Sequence, residues 1–184
     1  FTSTDFLDCG GRVTVLSALL RLKKSGLIRQ LARGLYDLPK TDPKLGTLAP
    51  AADAVAHALA RRDSVRIQPS GAYAANLLRL SEQVPMKVVF LTDGPSRKVM
   101  LGRQEIALKH TTSRNMVPAG RVSGLVIQAL RHLGKGRVTD DVVTQLSKQL
   151  DEESKERLRA DIPYAPAWIA AILRRIGNES GTRT

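Results

Sequence analysis

Between Arg12 and Lys24 the residues Thr14, Ser17, Arg21 and Lys24 recur at steps of three, four and three, the spacing that sets side chains in one row along a helix. Two hydroxyls and two cations in a row suit a major groove: hydroxyls meet base edges or phosphates, and a guanidinium can bind guanine through two hydrogen bonds. Arg12 opens the same segment, and Arg29 and Arg33 follow in the stretch LIRQLARGLYDL at 27–38. The expected roles divide accordingly. Thr14, Ser17 and Arg21 read bases, Lys24 holds a phosphate, and Arg29 and Arg33 touch the backbone or minor groove from a basic hairpin tip.

Other reactive side chains do not converge. Asp93 and Glu105 with Lys109 invite a nuclease reading, but Glu105 and Lys109 lie four positions apart where one intervening residue would align them on a strand face. His57 stands alone, one turn from Asp53 and Arg61, and reads as a surface or packing residue. The single cysteine, Cys9, has no neighbouring His and cannot form an internal disulfide, which fits a turn residue in a reducing cytoplasm. SGAYAAN at 70–76 could offer backbone N–H groups to an anion but lacks a GxxxxGK[ST] pattern. The expectation is a protein that is not an enzyme and needs neither cofactor nor metal.

The elements that would position the basic residues follow from periodicity. Val13, Leu16 and Leu20, widened by Val15 and Leu19, are expected to form the buried stripe of the Arg12–Lys24 helix. Ser25-Gly26 stops it, with Gly26 free to take a left-handed conformation. Two short apolar runs then flank Arg33-Gly34 and predict a hairpin. Upstream, residues 3–8 read as the end of a short helix and Cys9-Gly10-Gly11 as a tight turn. Helix, turn, helix and basic hairpin are the order of a winged helix-turn-helix module. The chain starts at Phe1 without Met and the first helix of such a module is missing, which predicts a trimmed or disordered start.

Charge supports the same class. Lys and Arg number 29 against 17 Asp and Glu, a net charge of +12 with a pI near 10.4, so polyanions are the natural partners. The surplus extends past the hairpin: residues 41–118 carry 11 basic and 6 acidic side chains. No stretch approaches a membrane span and no signal peptide shows.

The string GLIRQLARGLYDLP at 26–39, LGTL at 45–48 and VRIQPSGAYAANLLRLSEQVP at 65–85 occur in order along the chain, with VVFLTDGPSRKV at 88–99 and TTSRNM at 111–116 after them. Together they resemble the AbiEi family of antitoxins from abortive-infection and type IV toxin-antitoxin systems, over nearly the whole chain to about Gly177. The resemblance implies an N-terminal domain that binds double-stranded operator DNA and represses its own operon. It also implies a second domain with antitoxin activity against a nucleotidyltransferase-like toxin, without a stable direct complex between the two. The readings from other classes are a pure protein-interaction module, a regulator without an antitoxin role and, further off, a nuclease.

Beyond the head, PKTDPKLGTLAP at 39–50 has three prolines and no helical period, marking a linker over 41–50. An Ala-rich helix over 51–62, a strand at 65–68 and a helix from Gly71 to Leu80 with Ser70 as its cap follow. From Met86 to His110 the period changes to two, predicting a small antiparallel sheet of three strands whose turns carry Arg97, Lys98 and Arg103. Helices are expected over 121–133, from Thr139 to Leu150, after Asp151 and over 167–176, with Trp168 as a core anchor. The fold class is therefore α+β: a partial winged helix-turn-helix domain at 1–40, a linker, a domain at 51–177 with a small sheet and a terminal helical bundle, and a disordered tail at 178–184.

Overall fold

The computed structural model describes residues 1–178 and is α+β, as expected. A short 3-10 turn, Ser3–Phe6, leads into α1, Arg12–Lys24. Gly26 ends this helix at φ 75°, and the Leu27 N–H reaches back to the Leu22 carbonyl at 3.1 Å, closing the last turn as a left-handed glycine allows. Strands β1, Arg29–Ala32, and β2, Leu35–Asp37, then pair antiparallel around Gly34, which sits at φ 71°. The expected hairpin is present.

The proline-rich stretch holds two minimal strands, β3 (Thr41–Asp42) and β4 (Gly46–Thr47), closed by Asp42 Oδ1 accepting from the N–H groups of Lys44 and Leu45. Helix α2 runs Ala52–Asp63, β5 Ile67–Ser70 and α3 Gly71–Leu77. Helix α3 stops short of the expected Leu80, and Arg79 takes φ 54° just beyond it. Ser70 precedes α3 as expected but does not cap it: its Oγ bonds Gln128 Oε1 at 3.3 Å.

Strands β6 (Lys87–Thr92), β7 (Arg97–Leu101) and β8 (Gln104–His110) complete a four-stranded sheet in the order β5-β6-β8-β7. The expected all-antiparallel sheet is corrected here, since β6 and β8 run parallel. The reason is topological. The loop after β6 carries the chain past its neighbour to the sheet edge, and the tight turn at Gly102, φ 58°, returns β8 into the gap between them. Strand β5 lies at the opposite edge, where Pro69 costs no interior ladder bond. After β8, residues 111–116 contain one helical turn, α4 (Ser113–Met116), with Met116 fully buried.

Helices α5 (Val122–Leu133), α6 (Asp140–Gln149), α7 (Glu152–Ala160) and α8 (Ala167–Asn178) follow close to their expected positions. Asp151 caps α7 by accepting from the Ser154 N–H at 2.9 Å. Trp168 is only partly buried at the margin of the helical core. Most of the expected tail lies outside the described residues; Asn178 itself is the last residue of α8.

Three apolar clusters hold these layers. Alternation along β6 points Val88, Phe90 and Thr92 inward, where Val88 and Phe90 pack with Val55 and Leu59 of α2. Leu35 of the hairpin belongs to that cluster and is wholly buried. On the other sheet face α3 packs against α5, whose residues Val126, Ile127 and Leu130 join Leu146, Leu158, Ile169 and Leu173. The smallest cluster, Val15, Leu19 and Ile28 with Phe1, Phe6 and Tyr36 against it, seats α1.

Candidate nucleic-acid interface

Helix α1 rests on the protein through one narrow stripe. Val15 and Leu19 are buried, whereas Val13, Leu16 and Leu20 are 78%, 41% and 51% exposed. This corrects the buried stripe expected from the sequence. Two apolar series fit a helical period in this segment, 13-16-20 and 15-19-22, and the cluster formed by Phe1, Phe6, Ile28 and Tyr36 engages the second.

Thr14, Ser17, Arg21 and Lys24 are all exposed. With about 100° between successive residues, Ser17, Lys24 and Arg21 point away from the core and Thr14 lies at one border of the row. Neither the Arg21 guanidinium nor the Lys24 ammonium forms a hydrogen bond or ion pair among the described residues. Ser17, Arg21 and Lys24 therefore share one outward face, and Thr14 borders it beside the hollow lined by Phe1, Val15 and Leu19.

The remaining expected residues separate into two sites. Arg12 lies on the flank of α1 that faces the hairpin, and it lines one open cleft of about 870 Å³ with Leu16, Gln30, Arg33 and Gly34. On that same flank Lys23 Nζ donates to Gln30 Oε1 at 2.6 Å, tying helix to hairpin. Arg33 is at the hairpin turn as expected. Arg29 is not: it opposes Asp37 at the far end of the hairpin, where its Nε and Nη2 donate to Asp37 Oδ2 at 2.9 and 2.6 Å and its Nη2 also reaches the Leu48 carbonyl. A guanidinium so engaged is a structural clamp on the β3–β4 segment, so the expectation that it sits at the tip is corrected.

The cleft also contains residues that the sequence reading did not assign to the interface. Arg62, near the end of α2, donates through Nη1 to the Arg33 carbonyl at 3.4 Å, and through Nε to Asp63 Oδ1 at 2.9 Å. Arg97 of β7 reaches Asp63 Oδ2 at 2.6 Å. The Arg62 hydrogen bond, aided by the charge of Arg97, holds the Asp63 carboxyl below the usual range despite partial burial. A depressed carboxylate adds stability above its unfolded pKa and loses it as pH falls through the folded one. Asp63→Asn should therefore lower the urea midpoint at pH 7, and the gap from wild type should close as the pH drops below about 4. A gap that persists unchanged at low pH would assign the loss to packing rather than charge.

The candidate nuclease residues are kept apart. Asp93 follows β6 and accepts from Arg66 Nε at 2.8 Å, which holds its carboxyl below the usual range. Glu105 pairs with Lys87 at 2.8 Å at the other end of the same strands. His57 meets Asp53 at 3.4 Å on exposed α2 surface. Among the described residues no group of three or more His, Cys, Asp or Glu comes together as metal ligands would, and no helix is long and apolar enough to cross a membrane.

Residues 1–158 match the model of a family of unknown function, DUF6088. No curated protein and no solved structure matches the chain.

Proposed function

We propose that this chain, which belongs to the DUF6088 family, binds duplex DNA through α1 and its hairpin, arranged as a winged helix-turn-helix, and represses its own operon. The observation that carries this reading is the exposed row of Ser17, Arg21 and Lys24 on the side of α1 away from its buried stripe, bordered by Thr14, with Arg12 and Arg33 lining the adjoining cleft. Hydroxyls and a guanidinium in that row suit base edges, and Lys24 suits a phosphate. The excess of 12 positive charges supplies the sequence-independent part of the affinity. The antitoxin role, against a nucleotidyltransferase-like toxin in the cytoplasm, rests on the resemblance to AbiEi proteins. Its test is co-expression with such a toxin encoded beside the gene. Growth restored by this chain supports the role, and undiminished toxicity refutes it.

The DNA reading is tested by a salt-dependent gel shift against the chain's own promoter. Arg21→Ala is expected to lose roughly 1–3 kcal/mol of preference for promoter over random duplex. Equal discrimination by variant and wild type would remove Arg21 from the reading head.

A second reading has its own observation. Val13, Leu16 and Leu20 expose an apolar strip on α1, and such strips serve protein contacts. A stable protein complex without any promoter shift, weakened by Leu20→Asp, would favour an interaction module.

A further inference from the structure

The cations beyond α1 form a continuous surface rather than a scatter. Arg33, Arg62 and Arg97 line the cleft that contains Arg12, and the same three border a hollow of about 350 Å³ that adds Lys98. Arg97 and Lys98 in turn border a hollow of about 500 Å³ that adds Lys109 and His110. Hollows that share walls make one groove. It starts beside α1 and bends around the edge strand β7, against which β1 lies: Arg97 faces α2, whereas Lys98 and Lys109 stand on the opposite face of the sheet, where β8 ends. Asp63 is the one acidic residue among those lining it, and Arg62 and Arg97 already neutralise that carboxylate.

Cations on an edge strand also discourage strand addition, but that purpose requires only β7. It does not account for Arg33 on the hairpin or Arg62 on α2, which carry the same charge up to the DNA-facing helix. Beyond the hairpin the groove has no Phe, Tyr or Trp in its walls, so it lacks the platforms on which unpaired bases stack. Open, basic and without aromatic walls, it suits a sugar–phosphate backbone.

We infer that this groove holds the backbone of the duplex flanking the segment contacted by α1, which makes the edge of the four-stranded sheet part of the DNA-binding surface. The inference rests on the reading that α1 and the hairpin engage duplex DNA. It identifies Lys98 and Lys109 as phosphate-contacting residues, since both ammonium groups are exposed and neither forms a hydrogen bond or ion pair among the described residues. Their charges do help hold the nearby Glu105 carboxyl, which pairs with Lys87, below its usual range, so the urea midpoint of the double variant is measured beside its affinity.

The test compares salt-dependent affinities of the full chain for a random-sequence duplex of about 40 base pairs, long enough to span α1 and the groove together. Replacing both Lys98 and Lys109 by Ala is expected to reduce the log–log salt slope by about 2 and to weaken binding roughly 5- to 10-fold per lysine near 0.1 M salt. The pair Lys135→Ala and Lys148→Ala removes the same charge from exposed positions in the helical layer and should leave the slope at its wild-type value. Slopes that fall equally in both pairs, or in neither, overturn the groove. So does tighter, lysine-dependent binding to single-stranded RNA than to duplex. The two readings also fail separately. A wild-type chain that binds no duplex ends both, whereas unchanged promoter preference in Arg21→Ala with a reduced slope in the Lys98 and Lys109 pair ends only the assignment to α1.

Discussion

Leu35→Ala is expected to cost roughly 2–5 kcal/mol of stability and to abolish promoter binding well below the denaturation midpoint. Leu35 is wholly buried, and its cluster includes Val55 and Leu59 of α2 together with Phe90 and Leu108 of the sheet. Truncating it leaves a cavity between hairpin and α2 that neither rigid neighbour can collapse to fill. There the hairpin packs on α2 and the sheet, with the Arg62 contact to the Arg33 carbonyl at its turn. Loosening it should therefore speed amide exchange first at Tyr36, whose N–H donates to the Phe1 carbonyl at 2.8 Å. Urea titration gives the stability, and exchange monitored by NMR gives the order of opening. A loss under about 1 kcal/mol, with Tyr36 as slow as in wild type, would mean that the hairpin is held by something other than this contact.

Gly124→Val should destabilise by about 3 kcal/mol or more through overpacking. Gly124 lies in the first turns of α5, where a Cβ would press on the Pro118 carbonyl oxygen and come within 2.7 Å of Gln68 Oε1. That oxygen already accepts from the Gly120 N–H at 3.0 Å, and Gln68 is almost fully buried on β5. The side chain cannot yield without leaving a buried amide unpaired, which itself costs about 1–3 kcal/mol. Valine is a better helix former than glycine by a few tenths of a kcal/mol, far too little to compensate. Thermal unfolding decides the matter, and a melting temperature within a degree of wild type would show that α5 slides freely on β5.

The residues of the candidate interface were partly legible along the chain and partly not. The row from Thr14 to Lys24 was readable because a helix imposes its own period on nearby residues, and these four stand exposed on α1. Arg29 misled because a hairpin of known sequence still leaves open which cations sit at its tip; the pairing of Arg29 with Asp37 decides that. Arg62 and Arg97 lie 35 positions apart on a helix and a strand, and nothing local ties either to Arg33. In the fold Arg62 donates to the Arg33 carbonyl, and a shared grip on Asp63 brings Arg97 to Arg62.

Short-range patterns in this sequence determined where α1 stops, where the hairpin turns and which strands alternate, because glycine conformations and side-chain periods act over a few residues. Tertiary packing decided which of two equivalent apolar series on α1 is buried, that β8 enters between β6 and β7, and which arginines meet across the groove. Those outcomes depend on surfaces contributed by segments far apart in the chain, and a local pattern carries no information about what will press against it.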